Sequence, residues 1–167
     1  MIRFREEKPE DAAGVRRVLE AAFGGKGEAD LVDRLCADGD IVLSLVAEDL
    51  KDGILACLHF PRLALRVDGA EIPVCGLAPL AVLPRRQREG SGSHLVEMGL
   101  SELRHRGEKL VFVLGDQAFY RRFGFDIVAA AGYASPYAGP HFQVLRMDGR
   151  APSSGTIRYP RAFDGLD

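Results

Sequence analysis

Cysteine is scarce in this sequence: Cys36, Cys57 and Cys75 are the three among 167 residues. Their wide spacing forms no Cys-x-x-Cys pair, which excludes the short metal and redox motifs built on it. A secretory leader is not evident either, because Met1-Ile2-Arg3-Phe4-Arg5 turns charged at once and opens no apolar signal-peptide core. An odd number of thiols without a leader leads to the expectation of reduced cysteines in a cytoplasmic protein. Long apolar runs are missing too. None approaches the ~20 residues that span a bilayer, so no membrane partner is expected. Nor does one sign of charge dominate. Lys and Arg number 22 against 24 Asp and Glu, a formal net charge of −2, which offers no global electrostatic basis for binding nucleic acid. Internal repeats, low-complexity tracts and linkers that would divide the chain are likewise absent.

What is there is an ordinary globular composition, 47% hydrophobic and 28% charged. At this length one core suffices for stability without metal or disulfide. A single domain over residues 1–167 is expected, with a core at about 2–147 and an irregular tail at 148–167 rich in Gly, Pro and Ser. Residues 2–6 alternate as a short strand. Pro9 then opens a helix that ends at Gly24-Gly25, and a second helix covers about 28–37. Strands follow at 41–48, 53–60, 63–67 and 71–83, the last interrupted by Gly76 and Pro79 as at a bulge or edge. A helix at about 91–106 carries the stripe Leu95, Val96, Leu100 and Leu103. Residues 110–114 read as a strand covered on both faces, 116–122 as a short helix, and 125–129 and 141–147 as late strands. Helices placed around a central block of strands argue an α+β fold with a mixed, mainly antiparallel sheet flanked by helices.

One loop carries chemistry. After the strand ending Leu80-Ala81-Val82-Leu83-Pro84, the basic segment Arg85-Arg86-Gln87-Arg88-Glu89 leads into Gly90-Ser91-Gly92-Ser93, which opens a helix. Unpaired N–H groups and the positive dipole end at a helix start form an anion site. Arg85, Arg86 and Arg88 add mobile positive charge around it. A phosphorylated ligand is implied, without its identity. A Walker loop is excluded because no Gly-Lys-Ser/Thr follows, and a dinucleotide fingerprint fails because Leu95 stands where the third glycine belongs. A plain glycine-rich turn entering a helix is the alternative.

Gln87-x-x-Gly90-x-Gly92 after that strand resembles the acyl-CoA-binding motif of the GNAT superfamily. Phe119-Tyr120-Arg121-Arg122-Phe123-Gly124-Phe125 resembles the family's late Tyr-x-x-x-Gly-Phe signature, in the same order and at about the same separation. The order of elements over residues 2–147 is also similar, and the tail Tyr159-Pro160-Arg161-Ala162-Phe163 resembles small bacterial N-acetyltransferases. The resemblance implies an acetyl-CoA-dependent N-acetyltransferase. Acetyl-CoA is its co-substrate, and a small-molecule or peptide primary amine is its acceptor. It assigns the pantetheine arm to Leu80, Ala81 and Val82. It assigns the pyrophosphate to Gln87, Arg88, Glu89, Gly90, Ser91, Gly92 and Ser93, mostly through main-chain N–H groups. A main-chain N–H near Val82 would stabilise the oxyanion, and Tyr120 would act as the acid toward the departing thiolate. The other reading of Tyr120 is a packed aromatic beside Phe119 and Phe123.

Two departures stand out. Where some members carry a glutamate base, this sequence has Gly76. Where many have an asparagine seven residues before the tyrosine, it has Val113. Glu28, His59 and Asp116 are the candidate bases, although His59 also reads as a structural histidine and Glu28 as a first-turn helix residue. Cys75 is a conceivable self-acylating thiol or a small core residue. His94 and His105 have no matching metal partners, so no metal is expected. A non-catalytic acyl-CoA-binding or sensing domain, or an interaction module with a vestigial loop, are the rival readings. The oligomeric state is open, a homodimer included.

Overall fold

A computed structural model describes residues 1–165 of the chain. Among the described residues five α-helices and nine strands follow one another. β1 (Arg3–Glu6) leads through a tight turn at Pro9–Asp11 into α1 (Ala12–Phe23). α1 buries Val15, Val18 and Leu19 at helical spacing and ends at Gly24. α2 (Gly27–Ala37) follows, then the hairpin of β2 (Ile41–Asp49) and β3 (Gly53–Val67). β4 (Ala70–Leu77), β5 (Leu80–Val82) and α3 (Ser91–His105) come next, and then β6 (Leu110–Leu114). The chain closes with α4 (Gln117–Arg121), α5 (Ile127–Ala130), β7 (Tyr133–Ala134), β8 (Phe142–Arg146) and β9 (Gly155–Arg158).

The sheet runs β1-β2-β3-β4-β6-β8, with β5 and β9 also paired to β3. It is antiparallel except where β4 meets β6 and β7 meets β9. This is the mixed, mainly antiparallel α+β architecture expected from the sequence. The long strand β3 is its spine. Up to Pro61 it lies between β2 and β5, and from Arg62 onward between β4 and β9. The sequence suggested two strands, at 53–60 and 63–67. They are one strand that exchanges neighbours at Pro61, beside a register shift between Ile41 and Leu43 where a missing N–H is tolerated. The reverse holds for 71–83, which divides at Ala78-Pro79 into β4 and β5.

Two expectations are corrected. Residues 125–129 do not form a strand. Asp126 accepts a hydrogen bond from the Val128 N–H at 2.8 Å and caps α5, leaving a single bridge to Val144. A local Asp cap has outcompeted strand pairing. The tail is not irregular either, since β9 pairs Arg158, Ile157 and Thr156 with Ala64, Leu65 and Arg66 of β3. That pairing covers an edge of β3 which would otherwise stand open. No helix among the described residues is long and apolar enough to cross a membrane.

Candidate active site

β4 and β6 lie side by side for three residue pairs, Cys75–Val111, Gly76–Phe112 and Leu77–Val113. Ala78 and Pro79 then turn the chain, and β5 follows β3 through Leu80–Leu58, Ala81–Cys57 and Val82–Ala56. The two strands part, and the far edge of β5 has no strand partner among the described residues. The His59 N–H donates to the Pro79 carbonyl at 3.2 Å, and the Leu83 N–H to the Leu55 carbonyl at 2.9 Å. With the two-residue alternation of an antiparallel ladder, the main chain of Ala81 between them also faces β3. Leu80 and Val82 therefore turn their N–H and C=O groups toward the open edge.

A cavity of about 720 Å³ lies along that edge. Leu80, Val82, Gln87, Arg88, Gly90, Ser91, Gly92, Ser93 and Tyr120 all line it. Ala81 and Glu89 do not. Ala81 is buried in the core, and Glu89 is an exposed residue paired with Arg86 at 3.1 Å.

The start of α3 forms one wall. Gly90 adopts φ 92° and gives the helix no side-chain cap; only glycine takes that conformation without strain. The His94 N–H closes the first helical bond onto the Gly90 carbonyl at 3.0 Å. The N–H groups of Ser91, Gly92 and Ser93, one turn earlier, have no carbonyl to reach within the helix. Ser91 Oγ is buried with no hydrogen-bond partner among the described residues. An orphaned polar atom of this kind is uncommon in a folded interior. It lies beside the uncapped N–H groups, so together they make a donor-rich concavity suited to phosphate oxygens.

The arginines divide. Arg86 is tied to Asp52 at 2.7 Å, Asp49 at 2.8 Å and Glu89 at 3.1 Å, and Arg85 also pairs with Asp52. Hydrogen bonds from Arg85 and then Arg86 hold the Asp52 carboxyl below its usual range. These two are therefore fixed to the β2–β3 turn and are not the mobile charges the sequence suggested. Arg88 lines the cavity from an exposed position. A further arginine enters from α4: Arg122 donates to Ser93 Oγ at 2.8 Å while stacking over Phe119 at 4.9 Å and Phe123 at 5.2 Å. It lies inside the Tyr-x-x-x-Gly-Phe block, but only the tertiary contact with α3 shows its role. Gly115 and Phe119, also missed, line the cavity as well, and so does Arg86 despite its ion pairs.

Tyr120 is 8% exposed. Its ring meets Phe119 and Phe125 edge-on at 4.9 and 5.7 Å. Burial, with a smaller effect of the Asp116 charge, pushes its hydroxyl up to about 12. It stays protonated at neutral pH.

A family profile described as an acetyltransferase (GNAT) domain matches residues 3–128. The chain belongs to the GNAT acetyltransferase family. It is 34% identical over 165 residues to the uncharacterized N-acetyltransferase YhbS of Escherichia coli K12, covering 96% of this chain and 98% of that protein. Two crystal structures share its fold. One is a GNAT family acetyltransferase from Brucella melitensis in complex with acetyl-CoA, with TM-score 0.83, 37% identity, and 98% and 99% of the two chains covered. The other is E. coli YhbS in complex with CoA, with TM-score 0.89, 32% identity, and 99% and 93% covered.

Within this GNAT domain the two departures from the family pattern fall at packed positions. A Cβ at Gly76 would stand 3.3 Å from both Leu63 Cδ1 and Pro61 Cγ, so a side chain there would ask its neighbours to shift by a few tenths of an ångström. Val113 is buried in β6 opposite Leu77 and Gln143. Among the candidate bases, Asp116 alone lines the cavity, and it also caps α4 through the Ala118 N–H at 2.9 Å. His59 is fully buried against Glu7 at 3.1 Å, and Glu28 stands in the first turn of α2. Cys75 is buried, with Sγ 3.3 Å from Glu108. Burial, and then the Glu108 charge, push the thiol up, away from the thiolate that self-acylation needs. Among the described residues no group of three or more His, Cys, Asp or Glu side chains is placed to hold a metal ion.

Proposed function

We propose that this GNAT domain transfers the acetyl group of acetyl-CoA to a primary amine by direct attack on the thioester. The observation that carries the reading is the single cavity shared by the open edge of β5, the uncapped start of α3 and Tyr120. The pantetheine arm extends β5 through the main chain of Leu80 and Val82, in the manner of an added strand. The pyrophosphate rests on the N–H groups of Ser91, Gly92 and Ser93 with Ser91 Oγ, and Gln87 and Arg88 flank it. Held at both ends, the thioester carbonyl sits at the gap between β5 and β6, and much of the rate gain is positional.

The amine nitrogen attacks the carbonyl carbon, and the main-chain N–H of Leu80, the first residue of β5 beside the gap, stabilises the oxyanion. The C–S bond breaks, CoA leaves as its thiolate, and the amine proton passes to water, with Asp116 the carboxylate on the route. Magnitude decides what Tyr120 does. A thiol titrates near about 8.5, and the Tyr120 hydroxyl near about 12. Full proton transfer to the thiolate therefore runs uphill. Tyr120 acts by donating a hydrogen bond to the leaving sulfur. Acetyl-CoA turnover across an amine panel tests the assignment. Tyr120→Phe is expected to lower kcat by roughly a hundredfold while leaving the acetyl-CoA KM nearly unchanged. An unaltered kcat would refute the role.

Gly76, which supplies no side-chain base, favours a second reading as an acyl-CoA-binding or sensing domain. Thermal stabilisation by CoA with no turnover of any amine would select it.

A further inference from the structure

A second cavity, of about 210 Å³, adjoins the same gap from the other side. The same two chain segments build both. Leu77 and Ala78 line the second cavity and Leu80 the first; Val113 and Leu114 line the second and Gly115 the first. The cavities therefore flank the place where β5 leaves β6, which is where the thioester is placed in the reading above.

The outer wall comes from the C-terminal segment. Tyr137, Tyr159 and Phe163 interlock edge-on, with centroids at 4.9 Å for the first pair and 5.3 Å for the second. Their positions are fixed by the fold. β9 is hydrogen-bonded to β3. Arg161 holds Asp38 of the α2 end at 2.9 and 3.1 Å. Ala162 is buried with Leu31 and Leu35 of α2. The Tyr159 hydroxyl lies 3.3 Å from Ser135 Oγ.

The chemistry of this lining is selective. Among the described residues no Asp, Glu, Lys, Arg or His contributes to it. A polycation would find no counter-carboxylate inside, and an acceptor with its own carboxylate would find no cation. Aromatic and aliphatic groups find flat faces and apolar contact. The volume falls below the roughly 300 Å³ at which drug-sized pockets begin, so the occupant is small. An apolar lining also disfavours an ammonium over its neutral amine. That supplies the reactive form at a site where Gly76 leaves no glutamate base.

We propose that this cavity is the acceptor subsite. It takes a small primary amine on an aryl or short alkyl body that carries no other charge. Tyr137, Tyr159 and Phe163 determine that specificity. The proposal rests on the transferase reading. The test compares phenethylamine, spermidine and glutamate as acceptors for wild type, Phe163→Ala and the milder Phe163→Leu. Wild type is expected to favour phenethylamine by at least about tenfold in kcat/KM, and Phe163→Ala to raise its KM about tenfold. The acetyl-CoA KM should hold in both variants, which also reports that they fold. Turnover of spermidine or glutamate equal to or above that of phenethylamine, or a phenethylamine KM indifferent to Phe163→Ala, would overturn this inference alone. No thermal shift with CoA and no turnover of any amine would overturn the transferase reading and this one with it.

Discussion

Gly115 stands where β6 gives way to α4, and the placement of Tyr120 depends on it. A Cβ at Gly115 would lie 3.2 Å from Tyr120 Cδ2 and 2.6 Å from Cε2, the latter a distance that packed carbons do not tolerate. The tyrosine ring thus lies against bare backbone on one side and against the edges of Phe119 and Phe125 on the other. Its hydroxyl is held by shape, and the hydrogen bond to a leaving sulfur proposed for it would depend on that position to a fraction of an ångström. Gly115→Ala is expected to push the ring aside. A misplacement approaching 1 Å costs up to about a hundredfold in rate, so a loss of roughly tenfold or more in kcat is predicted, with the acetyl-CoA KM little changed. Steady-state kinetics of Gly115→Ala beside Tyr120→Phe and the double variant provide the check. If Gly115 acts through Tyr120, its substitution adds nothing to Tyr120→Phe; independent losses that multiply would show that it does not.

Among the elements, α3 must be seated closely enough to bring its N-terminus to β5. Gly99 makes that approach possible, since a Cβ there would fall 2.4 Å from Phe60 Cε2 and 2.6 Å from Cζ. Phe60 is fully buried on the spine strand and cannot swing away without disturbing the core. Gly99→Ala is predicted to destabilise the fold by about 1–3 kcal/mol through overpacking, despite alanine's better helix propensity. Denaturant unfolding would measure it, and Phe60→Leu in the same chain should restore part of the loss. Equal stability of wild type and Gly99→Ala would show that the helix rides further from β3. The elements that were legible in the sequence are those whose signal is local. The stripe Leu95, Val96, Leu100 and Leu103 and the turn at Asp68-Gly69 announce themselves. So does the anion loop, because its glycines and the basic segment before it are contiguous. The proposed acceptor subsite was not legible, because Tyr137, Tyr159 and Phe163 meet only through the pairing of β9 with β3. Nothing near Thr156 and Ile157 foretells a strand whose reason for existing is the open edge of another. α5 was missed for the opposite reason: a local cap at Asp126 overrode an apolar run that read as a strand.

Across the whole molecule, acid sensitivity follows from how the carboxylates are used. Arg5 of β1 donates to Asp11 at 2.7 and 3.0 Å and to Glu48 of β2 at 2.9 and 3.0 Å, while Asp11 also accepts the Lys8 N–H at 2.7 Å. Hydrogen bonds with Arg5 hold both carboxyls below their usual range. Asp38 and Glu71 are lowered likewise by Arg161 and Arg158, but these pairs lie on the surface and contribute little. Asp11 differs, being only 8% exposed. A depressed folded pKa means that the unfolded chain binds more protons once the pH nears the unfolded carboxylate values of about 4. Stability from Asp11 and Glu48 is therefore fully present above about pH 5 and is lost as the pH falls through and below 4. Tm should stay level between about pH 6 and 8 for these groups and decline in acid. Asp11→Asn isolates the central member. It removes the charge facing Arg5, and at pH 7 the expected cost is roughly 1–3 kcal/mol, as for loss of a charged hydrogen-bond partner. At pH 3 the unfolded wild-type chain binds a proton at Asp11 that the folded protein resists, so the gap between the two proteins should narrow. Urea unfolding of both at pH 7 and pH 3 measures that gap; one of the same size at both values would mean that Asp11 stabilises the β1–α1 junction by shape and neutral hydrogen bonding, with its charge irrelevant.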